Sequence, residues 1–287
     1  MEISLCKNSS LIFFRELNKA PSRKLLTVKL LYRNGNSKSI MKKINIEKKE
    51  EADINAWASS AQRNEHNNFL EHKIQKMVAA DTFLNKIKKY ETIFQSSHSI
   101  LELGGGSCWA SHIVKKKYPN AFVVGTDIAH AAIKSSHIWE SVFNVQIDEV
   151  QSCTSYKTPF SDQSFDLIFC FESAHHFGRH YQTLIEIKRL LKPNGICLYL
   201  HEPACQPYIY PLAYKRVNSL REEVKEDILV YRKIIKLCES VGLHGKVDFD
   251  PILGNRKPKQ TIYYYTLSIF PFLQHVLPCC IDIKIKK

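Results

Sequence analysis

No Cys-x-x-Cys pair occurs among the nine cysteines of this 287-residue chain, so the spacing of a structural zinc site is missing. Cysteines such as Cys170 in "DLIFCF" and Cys197 in "GICLYL" lie inside apolar runs, where a free thiol acts as a small core residue. Their odd count, with no sustained apolar h-region in Met1–Ser10, leads us to expect a reducing, cytoplasmic setting. Internal repeats and low-complexity tracts are lacking too, which excludes solenoids and arrays. Arginine is scarce beside lysine, so the net charge of +13 is carried by the weaker bidentate phosphate reader. We read most of that charge as solvated surface, as in "KSIMKKINIEKK" and "HIVKKKYPN", with nucleic acid as the less favoured partner. One uncharged run, Thr261–Ile281, is long enough to span a bilayer, but Pro271, Gln274, His275 and Pro278 break it. A buried helix followed by a strand is expected there, with peripheral membrane contact left open.

With 44% hydrophobic residues, the chain can bury one sizeable core plus an accessory region. Residues 1–50 read as an N-terminal extension. Within it, "KLLTVKLLYRNGNSKSIMKKINI" predicts a hairpin turning at Asn34-Gly35. Residues 51–98 read as a helical lid or cover, with Trp57, Ala61, Phe69, Ile74, Met77, Val78, Phe83, Leu84 and Ile87 near helical spacing. From Ser99 to the end, residues 99–287, the grammar changes to short β-rich runs alternating with helical stretches. Strands are expected at "SILEL", "AFVVGTDI", "NVQID", "FDLIFCF" and "ICLYL". Helices are expected at "SCWASHIVKKKY", "AHAAIKSSHIWE" and "YQTLIEIKRLL". This rhythm indicates an α/β fold with a parallel sheet and crossover helices. "EEVKEDILVYRKIIKLCESVG" predicts an amphipathic helix closed by Gly242, and "GKVDFD" with "CCIDIKIKK" a final antiparallel pair.

The stretch "SILELGGGSCWASHIV" places three glycines between a strand and a helix, where open α/β sheets bind ligands. A dinucleotide fingerprint needs a third glycine three positions after Gly106, and Trp109 stands there. No Gly-Lys-Ser/Thr follows, which removes the P-loop. What remains is a turn preceded by Glu102, with a second acid, Asp127, ending the next strand. An acid at that place accepts hydrogen bonds from ribose hydroxyls. The pair suits a nucleoside carrying a positive group better than a polyphosphate.

"ILELGGGSCWAS" resembles the first motif of class I S-adenosylmethionine-dependent methyltransferases, and "VVGTDIAHAAI" resembles their second. "TPFSDQSFDLIFCFESAHHF" and "IKRLLKPNGICLYLHEP" are similar to the later blocks, in the same order, over Ser99–Pro203. The style is that of the small-molecule, type 11-like branch. The resemblance implies a Rossmann-like, seven-stranded, mostly parallel sheet with helices on both faces, and S-adenosylmethionine as cofactor. It implies that Gly104, Gly105 and Gly106 pack against the methionine part and that Glu102 orients the turn. Asp127 would hold the ribose, Ile128 the adenine, and Phe171 would line the transfer region. Thr154 and Ser155 stand where many relatives carry an acid, leaving a backbone amide or a hydroxyl to meet the adenine.

Methyl transfer is an in-line displacement, so the protein mainly aligns the partners and excludes water. An oxygen acceptor gains from a general base, and the candidates are Glu172, His175 and His176, with His201 and Glu202 nearby. His175-His176 is not expected to be a metal pair, because adjacent side chains on a turn usually diverge, and no metal is expected. The Asp/Asn-Pro-Pro-Tyr/Phe motif of adenine or glutamine methylation is lacking, and "CFES" stands in its place. Tyr208, Tyr210 and Tyr214 in the proline-stiffened "HEPACQPYIYPLAY" are candidates for shaping the acceptor site. The expected function is methylation of a small molecule or a saccharide- or lipid-linked precursor. An RNA or protein methyltransferase and a non-catalytic cofactor-binding module are the alternatives.

Overall fold

The computed structural model describes residues 2–4, 13–15, 46–52, 54–56, 69–219, 225–254 and 256–287. The chain divides into two compact units, Met1–Lys48 and Lys49–Lys287. In the first, β1 (Glu2–Ser4) pairs antiparallel with β2 (Phe13–Arg15), Ile3 opposite Phe14. The hairpin expected around Asn34-Gly35 lies outside the described residues, as do Trp57 and Ala61.

The second unit is built on a sheet of β3 (Ser99–Leu103), β4 (Phe122–Asp127), β5 (Glu149–Ser152), β6 (Phe165–Phe171), β7 (Leu191–Cys205), β8 (Leu229–Val230), β9 (His244–Phe249) and β10 (Cys279–Lys286). The strand order is β5-β4-β3-β6-β7-β10-β9, with β8 beside the end of β7. Strands β3 to β7 pair parallel, while β10 runs antiparallel between β7 and β9. The main path has the seven strands expected, and the two-residue β8 makes an eighth. Chain order reverses between β3 and β6, so the turns after these strands open onto one crevice.

Alternation along the central strands sends side chains to two cores, as period-two geometry requires. Leu101, Leu103, Ile168 and Cys170 face a core completed by Leu184, Ile187 and Ile234. These last come from the helices His180–Leu190 and Tyr231–Ser240. Ile100, Leu167 and Phe169 face the other, with Phe83 and Ile87 of the helix Phe69–Lys89 and Ile113 of the helix Trp109–Lys117. Burial on both faces explains the near-continuous apolar runs of β3 and β6.

Several boundaries differ from expectation. "AHAAIKSSHIWE" forms two short helices, His130–Lys134 and His137–Phe143, because Ser135 Oγ donates to the Ala132 carbonyl at the break. The strand expected at "NVQID" starts later, at Glu149. Asn144 ends the helix in the left-handed region (φ 48°), and Asp148 instead accepts from Val123 N and Lys115. In "EEVKEDILVYRKIIKLCESVG", the described residues, from Lys225 on, are helical only from Tyr231. Asn218 brackets the Glu226 backbone from both sides, and Leu229–Val230 pair with Ala204–Cys205. "KPNG" is an excursion inside β7, with Asn194 at φ 63° and a register shift against β6. The helix Pro258–Ile269 is not the buried one expected, since Leu267 is its buried side chain while Ile262, Tyr265 and Ile269 are exposed. Among the described residues no helix is long and apolar enough to cross a membrane.

The helix Phe69–Lys89 is tied to the sheet by a buried ion cluster. Lys86 Nζ lies 2.6 Å from both Asp282 Oδ1 and Asp250 Oδ2, and Lys89 Nζ 2.9 Å from Asp282 Oδ2. Lys86 and Asp282 are 1% and 0% exposed. Breaking such a pair from one side leaves an uncompensated buried charge, at a cost of about 3–5 kcal/mol. Lys86→Met, which keeps the apolar stem, is therefore expected to lower unfolding stability by about that amount in urea titration. A loss below about 1 kcal/mol would mean that Asp282 is held by its other donors alone.

Candidate active site

The turn after β3 is shaped by a carboxylate beneath it. Glu102 is buried and accepts from Ser111 N at 3.1 Å and Ser111 Oγ at 2.5 Å. Gly105 lies so close that a Cβ there would meet Glu102 Cδ at 2.6 Å. Gly104 and Gly106 take φ of 72° and 59°, open to glycine without penalty. A Cβ on Gly106 would meet nothing within 4 Å, so this residue presents bare backbone to the crevice. The helix begins at Trp109, after Cys108 in the left-handed region, two residues later than the Ser107 opening read from sequence.

Asp127, at the end of β4, accepts from Gly106 N and from Ala129 N, each at 2.8 Å. Its carboxylate therefore joins the glycine turn to the turn after β4. Its carbonyl receives Cys153 N, which brings the loop after β5 alongside. Ser155 Oγ lies 2.9 Å from Thr183 Oγ1, and Thr154 Oγ1 donates weakly to the Lys157 carbonyl, so both hydroxyls have neighbours within the protein.

The turn after β6 forms the second wall. Glu172, just after β6, and His201, within β7 where its register against β10 shifts, both take left-handed conformations (φ 49° and 56°). Their side chains meet at 3.5 Å, His201 Nε2 to Glu172 Oε1. Glu202 is fully buried and accepts from the backbone N–H groups of Ser173, Ala174 and His175. It is a structural acceptor and not the free base that sequence position allowed. His175 Nδ1 lies 2.7 Å from Glu202 Oε2, and its Nε2 3.1 Å from Glu226 Oε2. His176 Nε2 lies 3.2 Å from the same Glu226 oxygen. The two imidazoles thus converge, with ring centroids 4.2 Å apart, where divergence was expected. The cause is the short 3₁₀ turn Ala174–His176, which does not alternate sides as a strand does.

All the residues singled out from sequence for cofactor and catalysis line one cavity of about 560 Å³: Glu102, Gly104, Gly105, Gly106, Asp127, Ile128, Thr154, Ser155, Phe171, Glu172, His175 and His176. Sequence reasoning missed Lys76, Glu226, Arg256, Tyr264 and Cys280, which line it from distant segments. Glu226 was hidden inside an apparent helix, and the others carry no local motif. Tyr208, Tyr210 and Tyr214 do not line the cavity. Tyr208 is exposed and donates to the Val276 carbonyl, while Tyr210 donates to Asp227.

Burial governs the titration of this cavity. It pushes Glu102 up to about 7, against the hydrogen bonds from Ser111. It also pulls Lys76 down, against the attraction of Glu172 and Glu102. Burial disfavours charge on His175, but Glu202 and Glu226 outweigh it and raise the imidazole to about 10. Glu226 is held well below the usual carboxylate range, its burial outweighed by hydrogen bonds from His175 and His176. For Cys280, the contacts with His201, Tyr264 and Arg256 overcome burial and pull the thiol down.

Residues 101–199 match a family model described as a methyltransferase domain. The uncharacterized methyltransferase YcgJ of Bacillus subtilis is 26% identical over 129 residues, covering 45% of this chain and 50% of that protein. A ubiquinone/menaquinone biosynthesis C-methyltransferase of Desulfotalea psychrophila is 27% identical over 113 residues, covering 39% and 45%. The chain thus spans about half the length of the curated relatives it matches. The YcgJ structure superposes with a TM-score of 0.51 at 20% identity, over 72% of this chain and 98% of that one. Geranyl diphosphate C-methyltransferase of Streptomyces coelicolor superposes with a TM-score of 0.56 at 13% identity, over 74% and 82%. The strand order and the glycine turn with its two acids agree with that match: residues 101–199 carry a methyltransferase domain, similar to those of class I S-adenosylmethionine-dependent enzymes.

Proposed function

We propose that this chain moves the methyl group of S-adenosylmethionine onto a small acceptor enclosed in the cavity above β3 and β6. The observation that carries this reading is that the glycine turn, its acids and a cluster of ionisable side chains all line one space of about 560 Å³. That lies within the roughly 300–1,000 Å³ of small-molecule sites. The curated relative named for ubiquinone/menaquinone biosynthesis supports an acceptor of that size. Residues 51–98 act as the cover, since Lys76 of the helix Phe69–Lys89 reaches the cavity wall, and residues 99–287 form the catalytic domain. The separate accessory element is the compact unit 1–48, since Lys49 and Glu50 pair with Asp227 and Arg179 in the second unit.

The residues present fit the cofactor. Bare backbone at Gly106 allows close approach to the methionine part, and the acids suit the positive groups it carries. Asp127, preset by two backbone donors, would accept from the ribose hydroxyls. Ile128, Thr154 and Ser155 line the cavity where they would meet the adenine, and Phe171 lines it where it would flank the transfer region. When bound, the cofactor supplies an electrophilic methyl on sulfur. The protein aligns the acceptor in line and keeps water out. Both ring nitrogens of His175 are engaged by carboxylates, so neither is directed at an acceptor as a base. We assign proton removal to the Glu172–His201 pair, which faces the cavity with a side chain half exposed at Glu172.

Calorimetry with S-adenosylmethionine and S-adenosylhomocysteine tests the reading, and binding of neither would sink it. Asp127→Ala is expected to weaken binding at least about tenfold, the loss of one charged hydrogen-bond acceptor. Gly105→Ala is expected to do the same, by forcing a Cβ into the Glu102 carboxylate. Glu102 generates a pH dependence. Its folded pKa of about 7 lies above its unfolded value, so its contribution to stability is full at low pH and is lost as pH rises through about 7. The ionised form attracts the cationic cofactor, so affinity is expected to rise with pH from 6 to 8, as calorimetry at each pH would read. Glu102→Gln should flatten that rise, and an unchanged slope would assign it elsewhere. A polymer acceptor is the competing reading, favoured by the net charge of +13. Retention on RNA with a steep salt slope would support it over the small acceptor.

A further inference from the structure

The convergence of His175, His176 and Glu226 goes beyond what cofactor binding needs. Each offers one ligand atom, and these atoms lie within 4.8 Å of one another. Glu226 Oε2 is 3.1 Å from His175 Nε2 and 3.2 Å from His176 Nε2. Bonds of about 2.1 Å to a common ion set neighbouring ligand atoms roughly 3.0–3.4 Å apart, depending on tetrahedral or octahedral geometry. The two observed spacings fall inside that window.

The groups around the triad fix it in place. Glu202 takes the Nδ1 side of His175, which leaves Nε2 directed at Glu226. This is the carboxylate–histidine arrangement that orients ligating imidazoles. His176 keeps Nε2 on Glu226 although its Nδ1 is then buried without a hydrogen-bond partner among the described residues. Asn218 holds Glu226 by its backbone, donating to the carbonyl and accepting from the amide, each at 2.8 Å. Without an ion the two imidazole N–H groups satisfy Glu226, and a divalent cation would take the place of those two protons. All three residues also line the cavity, so an ion there would keep an open position toward the acceptor.

We propose that His175, His176 and Glu226 form a binding site for a divalent first-row transition cation, of which zinc is the reference, beside the methyl-acceptor space. Two imidazole nitrogens and one carboxylate oxygen suit zinc, iron(II) or cobalt(II) better than the all-oxygen shells of magnesium or calcium. Resting on the methyltransferase reading, the acceptor would then be one that offers the ion an oxygen ligand, such as a phenol, an enol or a carboxylate. The cation site itself stands on the side chains alone.

The test uses the full chain, stripped by chelator and titrated without cofactor. Zn²⁺ is followed by calorimetry and Co²⁺ by visible absorption. One ion per chain is expected, with cobalt bands of nitrogen and oxygen ligation. Glu226→Gln and His176→Ala, both at partly exposed positions, should each weaken uptake at least about tenfold, and circular dichroism checks their folding. Asp127→Ala should lose cofactor affinity yet keep the metal titration, which separates this proposal from the cofactor reading. Paramagnetically shifted protons of the wild-type cobalt protein should report two ligating imidazoles, whatever the variants do. Absence of saturable uptake overturns the proposal. So does uptake unchanged in both folded variants, or a thiolate-to-cobalt charge-transfer band that would put the ion on cysteine.

Discussion

A single buried carboxylate, Glu202, holds the two walls of the cavity together. It sits on β7 with no exposed surface, where an unpaired charge would be untenable. It is satisfied by the amides of Ser173, Ala174 and His175 and by the His175 ring. Those bonds and the imidazolium charge outweigh its burial and hold it below the usual carboxylate range. The consequence is mechanical. The turn after β6 must fold back over β7, and Ser173 then donates to the Leu103 carbonyl at the end of β3. A Cβ on Gly104 would meet Ser173 Oγ at 3.0 Å, so the glycine turn is packed against this same corner. The conformation of the cofactor turn therefore depends on an acid two strands away.

The same bonds explain why the two halves of the cavity are built so differently. The half around the glycine turn is made of backbone: positive-φ glycines, amides on Asp127, and an acid under Gly105. Such a site needs residues close in sequence, because it is the chain's own turns that shape it. The other half is made of side chains contributed by remote segments, Lys76, Glu226, Arg256 and Cys280 among them. Here the Arg256 guanidinium lies 3.4 Å from the Tyr264 ring centre, and Tyr264 and Arg256 both reach the Cys280 sulfur at 3.5 Å. Local change in these segments can reshape this side of the cavity without disturbing the turn.

That division decides what could be read from sequence. The central strands were legible because parallel strands buried on both faces become unbroken apolar runs. The glycine turn, Asp127 and the residues after β6 were legible because their spacing is local. Glu226 was not, since "EEVKEDILVYRKIIKLCESVG" has helical periodicity throughout. Tertiary bonds from Asn218 and pairing with β7 override that propensity up to Val230. His175-His176 was misjudged for a related reason: the rule that adjacent side chains diverge belongs to strands, and a 3₁₀ turn does not obey it. The apolar face of Pro258–Ile269 was read as core because composition records hydrophobicity and not the presence of a neighbour.

Backbone strain marks where these constraints meet. Glu172 and His201 each occupy the left-handed region, at about 1–2 kcal/mol for a residue with a side chain. Neither is a turn forced by chain reversal alone, because glycine or asparagine would serve there at lower cost. Glu172 follows the last residue of β6 and its N still donates to the Leu200 carbonyl of the parallel neighbour β7, while His201 lies inside β7 where the register against β10 shifts. His201 N donates to Asp282, the same carboxylate that anchors Lys86. The strain in His201 is thus balanced by a buried ion cluster, and the strain in Glu172 by the last rung of the ladder. The result is that an acid and an imidazole face each other across the cavity mouth, in a place where relaxed strand geometry would point them apart.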